Sequence, residues 1–217
     1  IILKVLIFAI NNIRKEKLGM KKELAYFNIE GEYGGNQNWF YDPMMRLGGC
    51  AAIATCDLCI YLNLYRENKH LYPFNIDSLQ KKDYIKFSKI MKKYLHPRVK
   101  GINTLQLYID GFSSYLYDIN DEEIKMEPFS GENSVYDGEK IVVGQIEKEI
   151  PIPFLLLKHK NKKLNELVWH WFLIVGYEKT EDDLLVKIAT YGKYNWISFK
   201  NLWDTGYEEK GGMIIIS

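Results

Sequence analysis

Cys50 is the residue of this sequence that is best placed to act as a nucleophile. It follows Gly48-Gly49, a pair suited to a tight turn, and it opens a stretch with helical periodicity. A cysteine in the first turn of a helix meets unpaired N–H groups and the positive end of the helix dipole. Both favour the thiolate, which is the nucleophilic form. A free cysteine is also often a small buried hydrophobe, so position alone does not assign it a role.

His170 is the candidate proton acceptor for such a thiol. It is the only ionisable side chain in the apolar run from Val168 to Gly176. Burying an imidazole without a partner is costly. It is therefore either a core residue satisfied by a backbone carbonyl or a general base that faces a thiol. The other histidines lie in polar or proline-flanked stretches typical of a surface: His70, His96 and His159.

Cys56 and Cys59 form a Cys-x-x-Cys pair that resembles half of a zinc or redox motif. On a regular helix they point about 120° and 180° away from Cys50. The sequence holds no second pair of this kind. We therefore expect both to be core residues, and we expect no metal site and no cofactor.

Composition narrows the remaining classes of function. The chain has 217 residues, which suits one domain, and its formal net charge is +1, which does not favour a nucleic-acid partner. Three cysteines argue against a disulfide framework and favour a reducing compartment, the cytoplasm. Residues 1–10 are apolar but too few to span a membrane. We predict an extension over residues 1–19, a strand or helix, and a single domain over 20–217, with the oligomeric state left open.

Helical patterns come first along the chain and strand patterns follow. Residues 21–48 are rich in turn-forming residues and are predicted to be irregular. Helices are predicted at about 50–65, 79–95, 105–116 and 135–148, with a short strand at 123–129. Further strands are predicted at about 150–158, 168–178, 183–190, 195–199 and 212–216. This segregation indicates an α+β fold with an antiparallel sheet.

Two of these segments together resemble the papain-like cysteine peptidases. They are Gly49-Cys50-Ala51 at a helix start and His170-x5-Gly176-Tyr177. The order of parts is most similar to the peptidases that trim double-glycine leader peptides, the bacteriocin-processing branch. These have a Gln before the Cys, a helical block, a Pro-initiated apolar strand (here from Pro151) and then the His strand. The resemblance covers about residues 30–217 and implies a papain-like fold, with a helical part followed by an antiparallel sheet.

The resemblance also implies a role for each matching residue. Cys50 would be the nucleophile, and His170 would take its proton and return one to the leaving amine. Gln37 would donate its amide N–H to the developing oxyanion, together with the backbone N–H of Cys50. The thirteen-residue spacing between Gln37 and Cys50 is longer than is usual in the family. Asn36 and Asn38 are therefore alternatives with the same amide chemistry.

The third catalytic position departs from the family pattern. Thr190 stands where the family carries Asp or Asn, following Val186 and Ile188 on one face of the predicted strand. Its hydroxyl can accept a hydrogen bond from His170, but it carries no charge to stabilise an imidazolium. Asn195 is an alternative partner for His170, because an amide can serve in this role. Thr190 can equally be an ordinary strand residue.

These residues together predict a cysteine-type hydrolase, a peptidase or amidase that acts on a peptide or amide substrate. Two alternatives stay open. One is an acyltransferase that uses the same Cys-His dyad, and the other is a catalytically silent domain of this fold that binds a peptide. Candidates for lining the substrate site are Gly49, Trp39, Trp169 and Trp171.

Overall fold

The computed structural model describes residues 20–66, 70–97 and 101–217; the predicted extension over residues 1–19 lies outside this part of the chain. The strands are β1 (Lys21–Glu23), β2 (Asn28–Ile29), β3 (Glu32–Tyr33), β4 (Met126–Ser130), β5 (Ile152–Leu156), β6 (His170–Lys179), β7 (Leu184–Thr190), β8 (Lys193–Ser198) and β9 (Gly211–Ile216). The helices are α1 (Pro43–Gly48), α2 (Cys50–Tyr65), α3 (Lys81–Met91), α4 (Leu105–Asp118), α5 (Val135–Glu147) and α6 (Phe199–Trp203).

Seven of the strands form one antiparallel sheet in the order β4-β9-β5-β6-β7-β8, and β1 pairs with β6 beside that path. β5 pairs with the first half of β6, from His170 to Ile174, and β1 pairs with residues Gly176 to Glu178. The α+β class with helices ahead of most of the sheet is confirmed. The five strands predicted after residue 149 are all present.

α2 is the helix around which the other elements pack. Every residue from Cys50 to Leu62 is buried, and a helix that is apolar all round is a buried helix. It packs against β6 on one side and α3 on another. Cys56 and Cys59 are fully buried and unpaired, as expected of core residues. The first turn of α2, which carries Cys50, is therefore held in place by the core.

The prediction that residues 21–48 are irregular is wrong, because this stretch holds β1, the paired short strands β2 and β3, a 3₁₀ helix at Gln37–Trp39 and α1. β1 is a strand, held by β6 and by an ion pair between Glu23 and Lys187; three residues are too few to show a strand period. α1 begins after Asp42, whose side chain accepts from the N–H of Met44, and Pro43 occupies its first position. That pairing is a helix-start signal that the sequence analysis did not use.

Smaller differences concern the length of α3 and two short helices. α3 is shorter than the predicted 79–95, and α6 and a short 3₁₀ helix at Lys162–Leu167 were not predicted. Among the described residues, none of the helices is long and apolar enough to cross a membrane.

Candidate functional site

Cys50 and His170 line the same small cavity. It lies where α2 and β6 begin, and its volume of about 10 Å³ is room for about one water molecule. The polar residues that line it are Gln37, Cys50, Asp57, His170, Thr190 and Tyr191. Four of these six are predicted from the sequence, and Asp57 and Tyr191 are not.

The sulfur of Cys50 is surrounded by backbone donors. Burial raises the pKa of the Cys50 thiol, while hydrogen bonds from the backbone N–H groups of Trp171, Ala51 and Cys50 itself lower it. The helix start thus lowers the pKa of the Cys50 thiol, as predicted. Burial raises this pKa by more, so Cys50 is a neutral thiol at rest. No hydrogen bond joins this sulfur to His170 in the described part of the chain. Trp171, one of these backbone donors, is the residue next to His170.

Two hydroxyl groups lie close to the ring nitrogens of His170, one beside the ring and one over its face. Nε2 lies 2.7 Å from Oγ1 of Thr190, and Nδ1 lies 3.3 Å from the phenol oxygen of Tyr191. The Tyr191 ring also stacks on the imidazole, with centroids 4.6 Å apart and planes 5° apart. Burial lowers the pKa of His170 to about 4, so the imidazole is neutral at pH 7. Of the two candidate partners, Thr190 is therefore the one in contact with the imidazole, whereas Asn195 is exposed on β8 opposite Ile188.

We expect Thr190→Asp to raise the pKa of His170 by about 1–3 units, because a carboxylate beside the ring stabilises the imidazolium. Thr190→Val is the matched control, since it removes the hydroxyl and adds no charge. The measurement is an NMR titration of the His170 ring in both variants. A Thr190→Asp curve that coincides with the Thr190→Val curve would show that residue 190 does not reach the imidazole.

Gln37 is beside the cavity but does not offer the predicted donors. Its amide nitrogen donates to the backbone carbonyls of Met45 at 3.0 Å and Arg46 at 2.9 Å, at the end of α1. Both N–H bonds are thereby engaged, and the buried amide oxygen has no partner among the described residues. Asn36 uses both ends of its amide within its own loop, and Asn38 is exposed. Gln37 acts here as an anchor for α1.

Cys50 also lines an outer groove of about 740 Å³. The apolar side chains of this groove belong to Met44, Leu47, Ile102, Leu155 and Trp169. Leu47 is 87% exposed and Trp169 is 48% exposed, which is high for side chains of their size. Cys50 thus lines both the small inner cavity, which His170 also lines, and the larger outer groove.

The other residues predicted to line the substrate site have structural contacts instead. Trp39 is buried edge-on against Tyr84, and Trp171 is buried and stacked on Tyr108. Gly49 is the N-cap of α2 and lies at its junction with α1. Of the four candidates, Trp169 is the one that faces the groove.

Asp57 is a functional candidate that the sequence analysis missed. It lies seven residues after Cys50, on the same face of α2. Its carboxylate accepts from the phenol of Tyr84 at 2.7 Å, the phenol of Tyr26 at 2.9 Å and the N–H of Gly35 at 3.0 Å. Burial raises its pKa to about 6, although these hydrogen bonds act to lower it. The sequence feature that could have identified Asp57 is its position as the one carboxylate in the apolar pattern of α2.

The glycine loop that Asp57 holds is connected to the hairpin that carries Tyr191. A Cβ atom on Gly35 would lie 1.9 Å from the Tyr84 hydroxyl, so only glycine fits there. The carbonyl of Gly35 accepts from the N–H of Gly192 at 3.0 Å. Asp57, Gly35, Gly192 and Tyr191 therefore form a continuous path of contacts that ends on the imidazole.

Among the described residues, no group of three or more His, Cys, Asp and Glu side chains is placed to hold a metal ion. Comparison of the chain with protein-family models, with curated proteins and with solved structures finds no match. The site geometry is thus the basis on which a function can be argued.

Proposed function

We propose that the protein is a cysteine peptidase or amidase of papain-like fold that works through Cys50 and His170. The observation that carries the proposal is that a cysteine at a helix start and a buried histidine at a strand start share one cavity. The hydrogen bond between Nε2 of His170 and Oγ1 of Thr190 supports it, because a third group that orients the ring is the expected arrangement.

In the proposed reaction the substrate carbonyl enters from the outer groove and meets the sulfur of Cys50. The S–H proton passes to Nδ1 of His170, and the sulfur bonds to the carbonyl carbon to give a tetrahedral oxyanion. The oxyanion collapses to a thioester as the imidazolium gives its proton to the leaving amine. Water then hydrolyses the thioester. The N–H groups around the sulfur supply oxyanion donors that the amide of Gln37 does not.

A second candidate is the catalytically silent peptide-binding domain. Two observations favour it: the amide N–H bonds of Gln37 are both engaged, and Cys50 and His170 are both neutral at rest. An acyltransferase would use the same residues and differ only in the acceptor of the thioester. For each of these we propose a reducing compartment such as the cytoplasm, since all three cysteines are free.

The proposed function predicts that alkylation of Cys50 depends on His170. Cys56 and Cys59 are fully buried, so iodoacetamide at pH 7 is expected to modify Cys50 first whatever its role. The informative comparison is His170→Ala, which we expect to slow the alkylation of Cys50 by about tenfold, because the thiol loses its base. Mass spectrometry of timed digests measures the rate at each cysteine.

His159→Ala is the matched control, because His159 is a surface histidine that bonds to the carbonyl of Asn201. Equal rates for the wild type, His170→Ala and His159→Ala would overturn the dyad and leave the silent binding domain. A rate that depends on His170 justifies a screen of peptides and amides, with Cys50→Ala as the inactive reference.

A further inference from the structure

The buried amide oxygen of Gln37 lacks a hydrogen-bond donor. Gln37 is 4% exposed and lines the inner cavity together with Cys50 and His170. Its amide nitrogen donates to two carbonyls at the end of α1, whereas Oε1 has no partner among the described residues. Exchanging the two ends of the amide would turn an acceptor toward those carbonyls, so the orientation is fixed. Buried acceptors in folded proteins are usually satisfied, and an ordered water is the common partner where protein donors are missing.

The inner cavity has the size and the lining to hold such a water. Its volume of about 10 Å³ admits about one molecule. A buried water typically makes about three hydrogen bonds. Three groups of the lining can supply them: Oε1 of Gln37 and Nδ1 of His170 as acceptors, and the S–H of Cys50 as donor.

The imidazole leaves Nδ1 free for this contact. In the tautomer that the proposed reaction needs, the N–H at Nε2 donates to Oγ1 of Thr190. The phenol of Tyr191 lies over the face of the ring, so it does not take the lone pair of Nδ1, which lies in the ring plane. The carboxylate of Asp57 also lines the cavity, but it already accepts from two phenols and one backbone N–H.

We propose that the inner cavity binds the water that hydrolyses the acylated Cys50, and that Gln37 positions this water through Oε1. The proposal rests on the proposed function of the Cys50–His170 pair. Gln37 is then a positioning residue that accepts a hydrogen bond, which is the opposite of the donor role that its resemblance to an oxyanion-hole amide implies.

The change at the sulfur turns the bound water into a nucleophile. At rest one lone pair of the water accepts from the S–H of Cys50. After acylation the sulfur carries the acyl group and no proton, so that lone pair faces the thioester. The two O–H bonds of the water remain directed at Nδ1 of His170 and Oε1 of Gln37, which orients the attack.

The hydrolytic step balances with one water consumed. The water oxygen bonds to the thioester carbon, and the proton that faced His170 moves to Nδ1. The C–S bond then breaks, the product leaves as a carboxylic acid, and the sulfur recovers its proton from the imidazolium. An amine acceptor is too large for the inner cavity and would have to enter from the outer groove, so a water held inside favours hydrolysis over acyl transfer.

4-Nitrophenyl acetate separates the two halves of this reaction. Release of nitrophenol measures the acylation of Cys50, and mass spectrometry of timed samples measures the loss of the acetyl group by hydrolysis. Gln37→Met removes Oε1 at similar side-chain length. The water then keeps two partners before acylation but only one after it. We therefore expect Gln37→Met to slow hydrolysis about tenfold more than acylation, the effect of about one buried hydrogen bond.

Two further variants separate the water from the anchor on α1. Gln37→Glu keeps an acceptor oxygen and loses both N–H bonds to α1, so its ratio of hydrolysis to acylation should match that of the wild type. Gln106→Met makes the same substitution at an exposed glutamine that bonds to Asp110, and it should leave both rates unchanged.

The outcomes distinguish the water site from the proposed function. If Cys50 is not acetylated in the wild type, or is acetylated equally fast in His170→Ala, the proposed function fails. If acetylation depends on His170 but Gln37→Met slows both halves equally, or Gln37→Glu shifts the ratio as much as Gln37→Met, the water site is wrong and the dyad stands. A crystal structure of the wild-type chain should show an ordered water within hydrogen-bond distance of Oε1 of Gln37, and a dry cavity there overturns the water site.

Discussion

Replacing Asp57 by Ala is expected to lower the free energy of unfolding by about 3–5 kcal/mol, because it leaves buried donors without an acceptor. Those donors are the N–H of Gly35 and the phenols of Tyr26 and Tyr84. The residue is buried on α2, and a shortened side chain would also leave a void in a packed helix. Urea unfolding at pH 7, followed by circular dichroism, measures the loss.

Two variants make this result specific. Asp57→Asn keeps the shape and one acceptor oxygen, so we expect it to cost less than half as much as Asp57→Ala. Asp110→Ala removes an exposed aspartate whose hydrogen bond is to Gln106, and its effect should stay within about 0.5 kcal/mol. If Asp57→Ala costs no more than Asp110→Ala, the carboxylate does not anchor the glycine loop.

Sequence periodicity located the elements that carry the site. α2 begins and ends where its pattern begins and ends, and the His170 strand and the four other late strands lie where alternation or apolar runs placed them. These signals are local, because the apolar pattern of a buried helix or a buried strand can be recognised within about ten residues. Cys50 and His170 are brought to one cavity by the packing of α2 on β6.

The sequence could not reveal which polar groups are already engaged. Gln37 has the amide that an oxyanion hole needs, but the end of α1 takes both of its N–H bonds. Trp171 and Trp39 resemble pocket residues by type, yet each packs in the core. A donor's partners depend on chain segments far away in sequence, so residue type and spacing leave them undetermined.

The sequence also could not reveal whether Cys50 and His170 are charged or neutral. The helix start predicted a thiolate at Cys50, and the structure retains those backbone donors but buries the sulfur. His170 is buried in the same way, and burial lowers its pKa to about 4. Burial depends on the whole fold, and it disfavours charge on both groups at once. The neutral pair at rest is thus a property of the packing.

The two buried titrating groups of the cavity should change stability with pH in opposite directions. The pKa of His170 falls from 6.5 to about 4 on folding, so between these values the unfolded chain binds more protons and stability rises with pH. The pKa of Asp57 rises from 3.8 to about 6, so over that window the folded chain binds more protons and stability falls as pH rises.

Each effect is worth about 3 kcal/mol across its window, because a tenfold change in proton affinity corresponds to about 1.4 kcal/mol. In the wild-type chain the two nearly cancel, so we expect single variants to expose them. As pH increases from 4 to 6.5, the free energy of unfolding of His170→Gln minus that of the wild type should fall. The same difference for Asp57→Asn should rise over this range. Urea unfolding at half-unit pH steps measures both differences, in which the other titrating groups cancel. Differences that do not change with pH would show that neither group is buried as the packing of α2 on β6 requires.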